Sequence, residues 1–282
     1  MNRTARRKFT SGLVVALCGA AVVLALVPLF FVFAYVISKG FSSLNWDFFT
    51  EAPKPVGEPG GGMANALIGT LILIGIASAV AVPVGVIAGV YLSEYGKKKF
   101  ATLVRFTADV LNGVPSIVIG IFAYGLAVLP VKHFSSLAGG LALGFMMIPI
   151  ITRTTEELLN LVPGSLREGA LALGATRARA AFSVMVPAAL PGIMTGILVA
   201  LARIAGETAP LLFTAFNNRF FTTRLDQPIS SLPVQIYTYA VAPYEDWHRQ
   251  AWAGALVLVA FVFTFSVLAR VVTRRLERMH RT

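Results

Sequence analysis

Arg203 and Glu207 stand four residues apart inside 197–213, a segment otherwise built of apolar and small side chains. An ionised group deep in hydrocarbon costs at least about 2.5–3.5 kcal/mol on insertion scales, so such residues face a neighbouring helix or a water-filled path rather than lipid. On a continuous helix the i,i+4 spacing puts both on one face and within pairing distance, although Arg before Glu is the less favourable order for the helix dipole. Gly192, Gly196, Ala200 and Pro210 fall on the same stripe, which joins the charges to small residues suited to close helix contact. The stripe therefore belongs at a protein interface or along an aqueous path. A pair of this kind serves to fix packing, to line the route of an ion, or to relay a proton.

A second constellation lies in Thr152–Pro187, a polar stretch of helix-forming residues and mixed charge, much longer than a connector needs. Pro163 and Gly164 break it, and Ser165 and Glu168 have capping-box spacing, which predicts a short helix from about Leu166 to Leu173, ended by Gly174. Gly169, Ala170, Ala172 and Gly174 allow close approach by a partner. A short helix held between two glycine-containing turns acts as a rigid knob that carries its flanking helices along. The other reading is an amphipathic helix on the membrane surface, with Arg177 and Arg179 toward anionic lipid. Gly169–Thr176 spells G-x-x-x-x-G-A-T, but Ala175 stands where a phosphate-binding loop needs Lys and no strand precedes it. Nucleotide hydrolysis must then come from another chain. The single Cys18 excludes an internal disulfide, and His133, His248 and His280 are scattered, so neither a metal site nor a catalytic residue is expected.

The elements that hold these residues are membrane helices. Hydrophobic residues make up 56% and charged ones 13%, with a mean hydropathy of +0.76, far from the balance of a soluble domain. Runs of about 20 apolar residues, the length that crosses hydrocarbon, occur at Leu13–Ile37, Ala66–Leu92, Val110–Pro130, Leu137–Ile151, Ala188–Thr214 and Trp252–Val271. The fold expected is an all-α integral membrane protein of six transmembrane helices, a single membrane domain over 1–282, with the fourth run continuing as helix beyond Arg153. Pro28, Pro83 and Pro115 mark expected kinks. Arg6, Arg7, Lys8 and Phe9 resemble the start of a twin-arginine signal, but the first apolar run exceeds the 7–15 residues of a signal core and reads as an uncleaved span.

The net charge of +11 is distributed unevenly. Seventeen Lys and Arg fall on one side of the spans: four between Arg3 and Lys8, four between Lys97 and Arg105, Arg153, Arg167, Arg177 and Arg179 in the long loop, and five between Arg270 and Arg281. The opposite side carries six basic residues, matched by six acidic ones. Basic segments are retained in the cytoplasm, which predicts that both termini are inside and explains the charge without nucleic acid. On the outer side, Gly57–Gly62 reads as a flexible loop or an anion cradle. The stretch 216–250, with Tyr237, Tyr239, Tyr244 and Trp247, reads as an interfacial anchor or a contact for an extracytoplasmic protein.

Glu168, Gly169 and Ala170, then Gly174, then Val184, Val186 and Pro187 resemble the EAA loop of ABC importer permeases: Glu-Ala-Ala, three residues, Gly, nine residues, Ile-x-Leu-Pro. The resemblance implies the type I importer permease fold, with a cytoplasmic coupling helix lying in a groove of an ATPase subunit and Glu168 facing a basic residue there. Leu201–Thr214 (LARIAGETAPLLFT) and Gly113–Gly120 (GVPSIVIG) are similar to phosphate-transporter permeases. That similarity implies a translocation path touching Arg203, Glu207, Asn112 and Ser116, since an Arg fork matches an oxyanion with two parallel hydrogen bonds. The implied partners are a second permease subunit, two ATPase copies holding ATP and magnesium, an extracytoplasmic phosphate-binding protein, and membrane lipid in a bacterial inner membrane. The implied function is ATP-driven phosphate import without a nucleotide site in this chain. Sulfate or molybdate import is the alternative within transport, and a proton-coupled secondary transporter the alternative outside this class.

Overall fold

The computed structural model describes residues 3–58, 60–96 and 99–279; Lys97, Lys98, His280 and Arg281, named above, lie outside them. Every regular element among the described residues is helical. Five helices are long and apolar enough to cross a membrane, six if one bent pair counts as a span.

α6 (Ser136–Leu161) is the axis of the bundle, its apolar window 61% buried. It runs well past Ile151, as the helix-forming residues after Arg153 predict. α3 (Ala64–Tyr95) and α9 (Val186–Ile204) lie against it through glycines. Gly85 faces Ile151 and Gly89 faces Thr155, while Gly192 and Gly196 meet Leu158 and Thr154. With lipid outside as apolar as the interior, backbone approach and dispersion hold such helices together. A Cβ at Gly89 would sit 2.6 Å from the Thr155 Cβ and 2.7 Å from the Thr152 carbonyl oxygen. Gly89→Val is therefore expected to force α3 off α6 and destabilise the chain by about 1–3 kcal/mol. Thermal unfolding in detergent checks this, and an unchanged midpoint would contradict the packing.

The expected third span, Val110–Pro130, is not one helix. α4 (Lys99–Gly113) and α5 (Ser116–Ala123, continued by a π-helical turn over Tyr124–Val128) meet at 109°. Pro115 has no N–H to give and drives Val114 out of the helical region, so the chain turns there. α4 buries Ala101 and Ala108 and leaves Phe100, Leu103 and Phe106 exposed. The run from Lys99 to Asp109 that hydropathy passed over as a connector is thus an amphipathic helix.

The expected fifth span, Ala188–Thr214, is likewise revised at both ends. Helix begins at Arg177 (α8, Arg177–Ala180), widens into a π-helical turn over Ala181–Met185, and runs on as α9 to Ile204. Pro187 cannot donate to the Ser183 carbonyl, and the Val186 N–H reaches back to the Ala181 carbonyl instead. The chain then breaks at 205–208 and restarts as α10 (Ala209–Thr214), where Pro210 sits in the first turn and its missing N–H costs nothing.

α1 (Arg3–Phe41) is exposed over most of its length and meets the bundle only near its end. There Tyr35 packs edge-on to Trp252 of α12 (Glu245–Met279), ring centres 5.1 Å apart. At the end opposite the long basic loop, 216–231 folds over the start of α6: carbonyls of Gln227 and Leu225 accept from the first-turn N–H groups of Ser136 and Leu137. Two further bonds from Arg224 hold the Asp226 carboxyl below its ordinary pKa. Tyr239 is 3% exposed and stacks on Trp247, so this pair serves packing between α11 (Leu232–Ala240) and α12, whereas Tyr237 stays exposed. Gly57, Gly60 and Gly61 all have positive φ and line a cavity of about 480 Å³ whose lysine, Lys54, already pairs with Glu51.

Candidate functional site

The short helix of the basic loop, α7 (Gly164–Ala172), buries none of its residues. Pro163 supplies the N-terminal boundary in extended conformation, and no side chain caps the first turn. The capping box expected of Ser165 and Glu168 is not formed, because the helix starts two residues earlier, at Gly164, and places Ser165 inside it. At the other end Gly174 adopts φ +84, and the N–H groups of Gly174 and Ala175 close onto the Leu171 and Ala170 carbonyls. This left-handed stop favours glycine, which explains its fixed place in the motif. Thr176 then caps the following helix through the Arg179 N–H.

Glu168 and Gly169 are exposed, Ala170 is half-buried, and Leu173 is 91% exposed at the tip. The helix thus leaves an acid at Glu168 and an apolar side chain at its C-cap, Leu173, without cover from the rest of the described chain. Val184 lies in the π-helical turn and Val186 packs against the core at its end, with Pro187 next, so this part of the motif anchors the knob to α9. Gly169–Thr176 forms the end of α7 and its stop, and the element before α7 is the helix α6 rather than a strand.

Inward of α7 lies a charge cluster that linear spacing did not assign. Glu156 is 3% exposed. Arg105 Nε donates to its Oε1 at 2.5 Å and Arg153 Nη1 to its Oε2 at 2.6 Å. Arg153 also reaches Asp109 at 2.9 Å, and Arg105 donates to the Gly96 and Leu92 carbonyls at the end of α3. One buried carboxylate thus ties α4, α6 and α3 together. The i,i+3 and i,i+4 spacings of Arg153–Glu156 and Arg153–Glu157 were the available signals; the 51-residue separation of Arg105 from Glu156 left none. Glu156→Ala would take one charged partner from each arginine, leaving Arg153 its Asp109 and Arg105 its two carbonyls, and since both are more than a quarter exposed the expected loss falls toward the lower edge of the ~3–5 kcal/mol for breaking a buried pair. Denaturation of the purified chain measures it.

Arg167, in the first turn of α7, also turns inward, its Nη2 2.8 Å from Glu94 Oε1 at the end of α3.

Arg203 and Glu207 do not pair with each other, and neither has an ion pair among the described residues. The helix that would have aligned them ends at Ile204, which leaves Arg203 exposed in its last turn and Glu207 half-buried in the break. The stripe divides: Gly196 and Ala200 continue inward to Ile204, while Arg203 points away. Asn112 precedes the 109° bend, its side-chain oxygen buried without a hydrogen-bond partner, and Ser116 opens α5. α5 packs on α10, where a Cβ at Gly120 would lie 2.6 Å from the Pro210 Cα. The two broken segments are neighbours, although no hydrogen bond joins Arg203 to Asn112 or Ser116 among the described residues.

Residues 81–278 match the family described as binding-protein-dependent transport system inner membrane component. The phosphate transport system permease protein PstA of Haemophilus influenzae is 43% identical over 94% of this chain and 94% of its own length. That of Yersinia pestis is 42% identical over 96% and 92%, and that of Xylella fastidiosa strain Temecula1 47% over 85% and 84%. Among solved structures, a chain of the inward-facing MetNI methionine ABC transporter superposes with TM-score 0.60 at 20% identity, covering 76% of this chain and 94% of its own. A chain of a bacterial alginate ABC transporter gives 0.62 at 14% identity, covering 99% and 98%. The chain thus has the fold of a type I ABC importer permease, and it belongs to the family of binding-protein-dependent transport system inner membrane components.

Proposed function

We propose that this chain is one of two permease subunits of an ATP-driven inorganic phosphate importer, multi-pass in a bacterial inner membrane with both termini in the cytoplasm. The observation that carries the reading is α7: a rigid exposed helix, stopped by Gly174 and anchored by Val186 and Pro187, that offers Glu168 and Leu173 to a partner. ATP and magnesium belong to a separate ATPase that grips this helix, and the chain itself moves its cargo without chemistry. Phosphate is supported by the phosphate transport system permeases to which the chain is more than 40% identical and by Arg203, without an ion pair among the described residues, at a broken membrane helix, where half-helix ends and unwound backbone hold ions in transporters. The seventeen basic residues on the side bearing α7 support the orientation.

Alternating access follows when closure of the ATPase pair displaces α7 and, through α6 and α9, tilts the bundle against the second permease. Removing the gene from its own cell is expected to abolish high-affinity uptake of labelled phosphate while leaving sulfate uptake intact. Loss of sulfate uptake with phosphate uptake retained would move the assignment to another oxyanion.

A further inference from the structure

We propose that Arg167 and Glu94 form a mechanical tie that makes the second span, α3, move with the coupling helix. The sequence gives α7 two covalent connections, to α6 through Val162 and Pro163 and to α8 through 173–176. Motion of α7 then passes directly to the fourth and fifth spans alone. The ion pair adds a third connection, between residues 73 positions apart.

Its placement is informative. Glu94 sits in the last turn of α3 and Arg167 in the first turn of α7, so each charge opposes its own helix dipole. Neither residue is favoured where it stands by local helix physics; each is favoured only by the other. The Glu94 side chain is 6% exposed and Arg167 Nη2 lies 2.8 Å from it. Arg167 is half-buried, unlike Ser165, Leu166, Glu168 and Gly169 around it. Contact between α7 and α3 rests on this side-chain reach, since α7 otherwise packs on α8 and the π-helical turn. α3 in turn is held to α4 by Arg105 through the carbonyls of Leu92 and Gly96, so the tie extends to the bend at Pro115. A pull on α7 thereby reaches both interrupted segments, α9–α10 through the covalent chain and α4–α5 through Glu94. Arg167 and Glu94 are positioning residues, and neither touches cargo.

The inference rests on the importer reading, and the test keeps the two apart. The complete assembly of both permeases, ATPase and binding protein is reconstituted in vesicles with this chain as wild type, Glu94→Arg, Arg167→Glu, the double exchange and Glu94→Gln. Labelled phosphate taken up is divided by ATP hydrolysed. Wild type without ATP-driven uptake sinks the importer reading. With wild type active, the single charge reversals are expected to assemble and hydrolyse ATP but to lower uptake per ATP by about fivefold or more, the lower edge of site-to-site coupling. The double exchange is expected to restore it, because the pair and not either residue carries the effect. Unchanged uptake per ATP in the single variants, parallel loss of hydrolysis and uptake, or failure of the exchange to restore coupling would each overturn the tie. Where the reversals do not assemble, Glu94→Gln decides: it keeps an acceptor for Arg167 but no charge, and normal uptake per ATP in that variant overturns the proposal.

Discussion

Glu168→Lys is expected to separate the chain from its ATPase. Glu168 is exposed on a helix with no buried residue, so reversing its charge leaves the fold of the chain intact. In the proposed complex this carboxylate is the charge that meets a basic residue of the ATPase groove. Truncating one member of a desolvated charge pair at an interface costs about 2–5 kcal/mol or more, and a reversal adds repulsion. At ~1.4 kcal/mol per decade this weakens association by roughly thirtyfold or more. Co-purification of the ATPase should fail at concentrations where wild type retains it, and ATP-driven uptake should fail with it. Leu173→Ala is a milder companion: it removes an apolar side chain that is 91% exposed, so its loss is expected to weaken association without touching the fold. Intact association and coupled uptake in Glu168→Lys would withdraw α7 from its assigned role.

Arg203→Ala is expected to cut transport sharply without disturbing assembly. Arg203 is exposed and makes no ion pair among the described residues, so its loss leaves no partner stranded. Hydrogen bonds to charged groups are worth about 1.5–3 kcal/mol, which predicts a fall in phosphate uptake of roughly tenfold to a hundredfold at unchanged membrane abundance. Arg203→Lys retains the charge and loses the fork, so it should recover only part of the activity. Normal uptake by Arg203→Ala would remove this residue from the path. The separation of Arg203 from Glu207 matters here: a paired arginine offers an anion no net charge, whereas an unpaired one does.

What could be read from the residues in order was set by the range of each interaction. Hydrophobic runs are local, and the first, second, fourth and sixth each fall inside one long helix, whose polar ends hydropathy alone did not mark. The coupling helix was also legible, because its stop at Gly174 depends on one backbone angle that favours glycine and its anchor on one proline. The interruptions were harder. In 205–208 the residues Ala-Gly-Glu-Thr read as a continuing apolar segment, and the signal that a helix restarts there was Pro210, two residues after Thr208 and suited to a first turn. Pro115 was expected to kink a span, and instead it ends one helix and begins another at 109°. The buried set around Glu156 and the Arg167–Glu94 tie join residues 51 and 73 positions apart, distances at which spacing carries no information and only the packed bundle does.

The most direct test of the account is uptake by the purified assembly: both permeases, the ATPase and the binding protein in sealed vesicles, with ATP on the ATPase side and labelled phosphate or sulfate on the other. The account predicts ATP-dependent accumulation of phosphate, with little of sulfate, that disappears when Glu168→Lys replaces the wild-type chain. Accumulation driven by a proton gradient without ATP, or ATP-driven accumulation that survives Glu168→Lys, would contradict it.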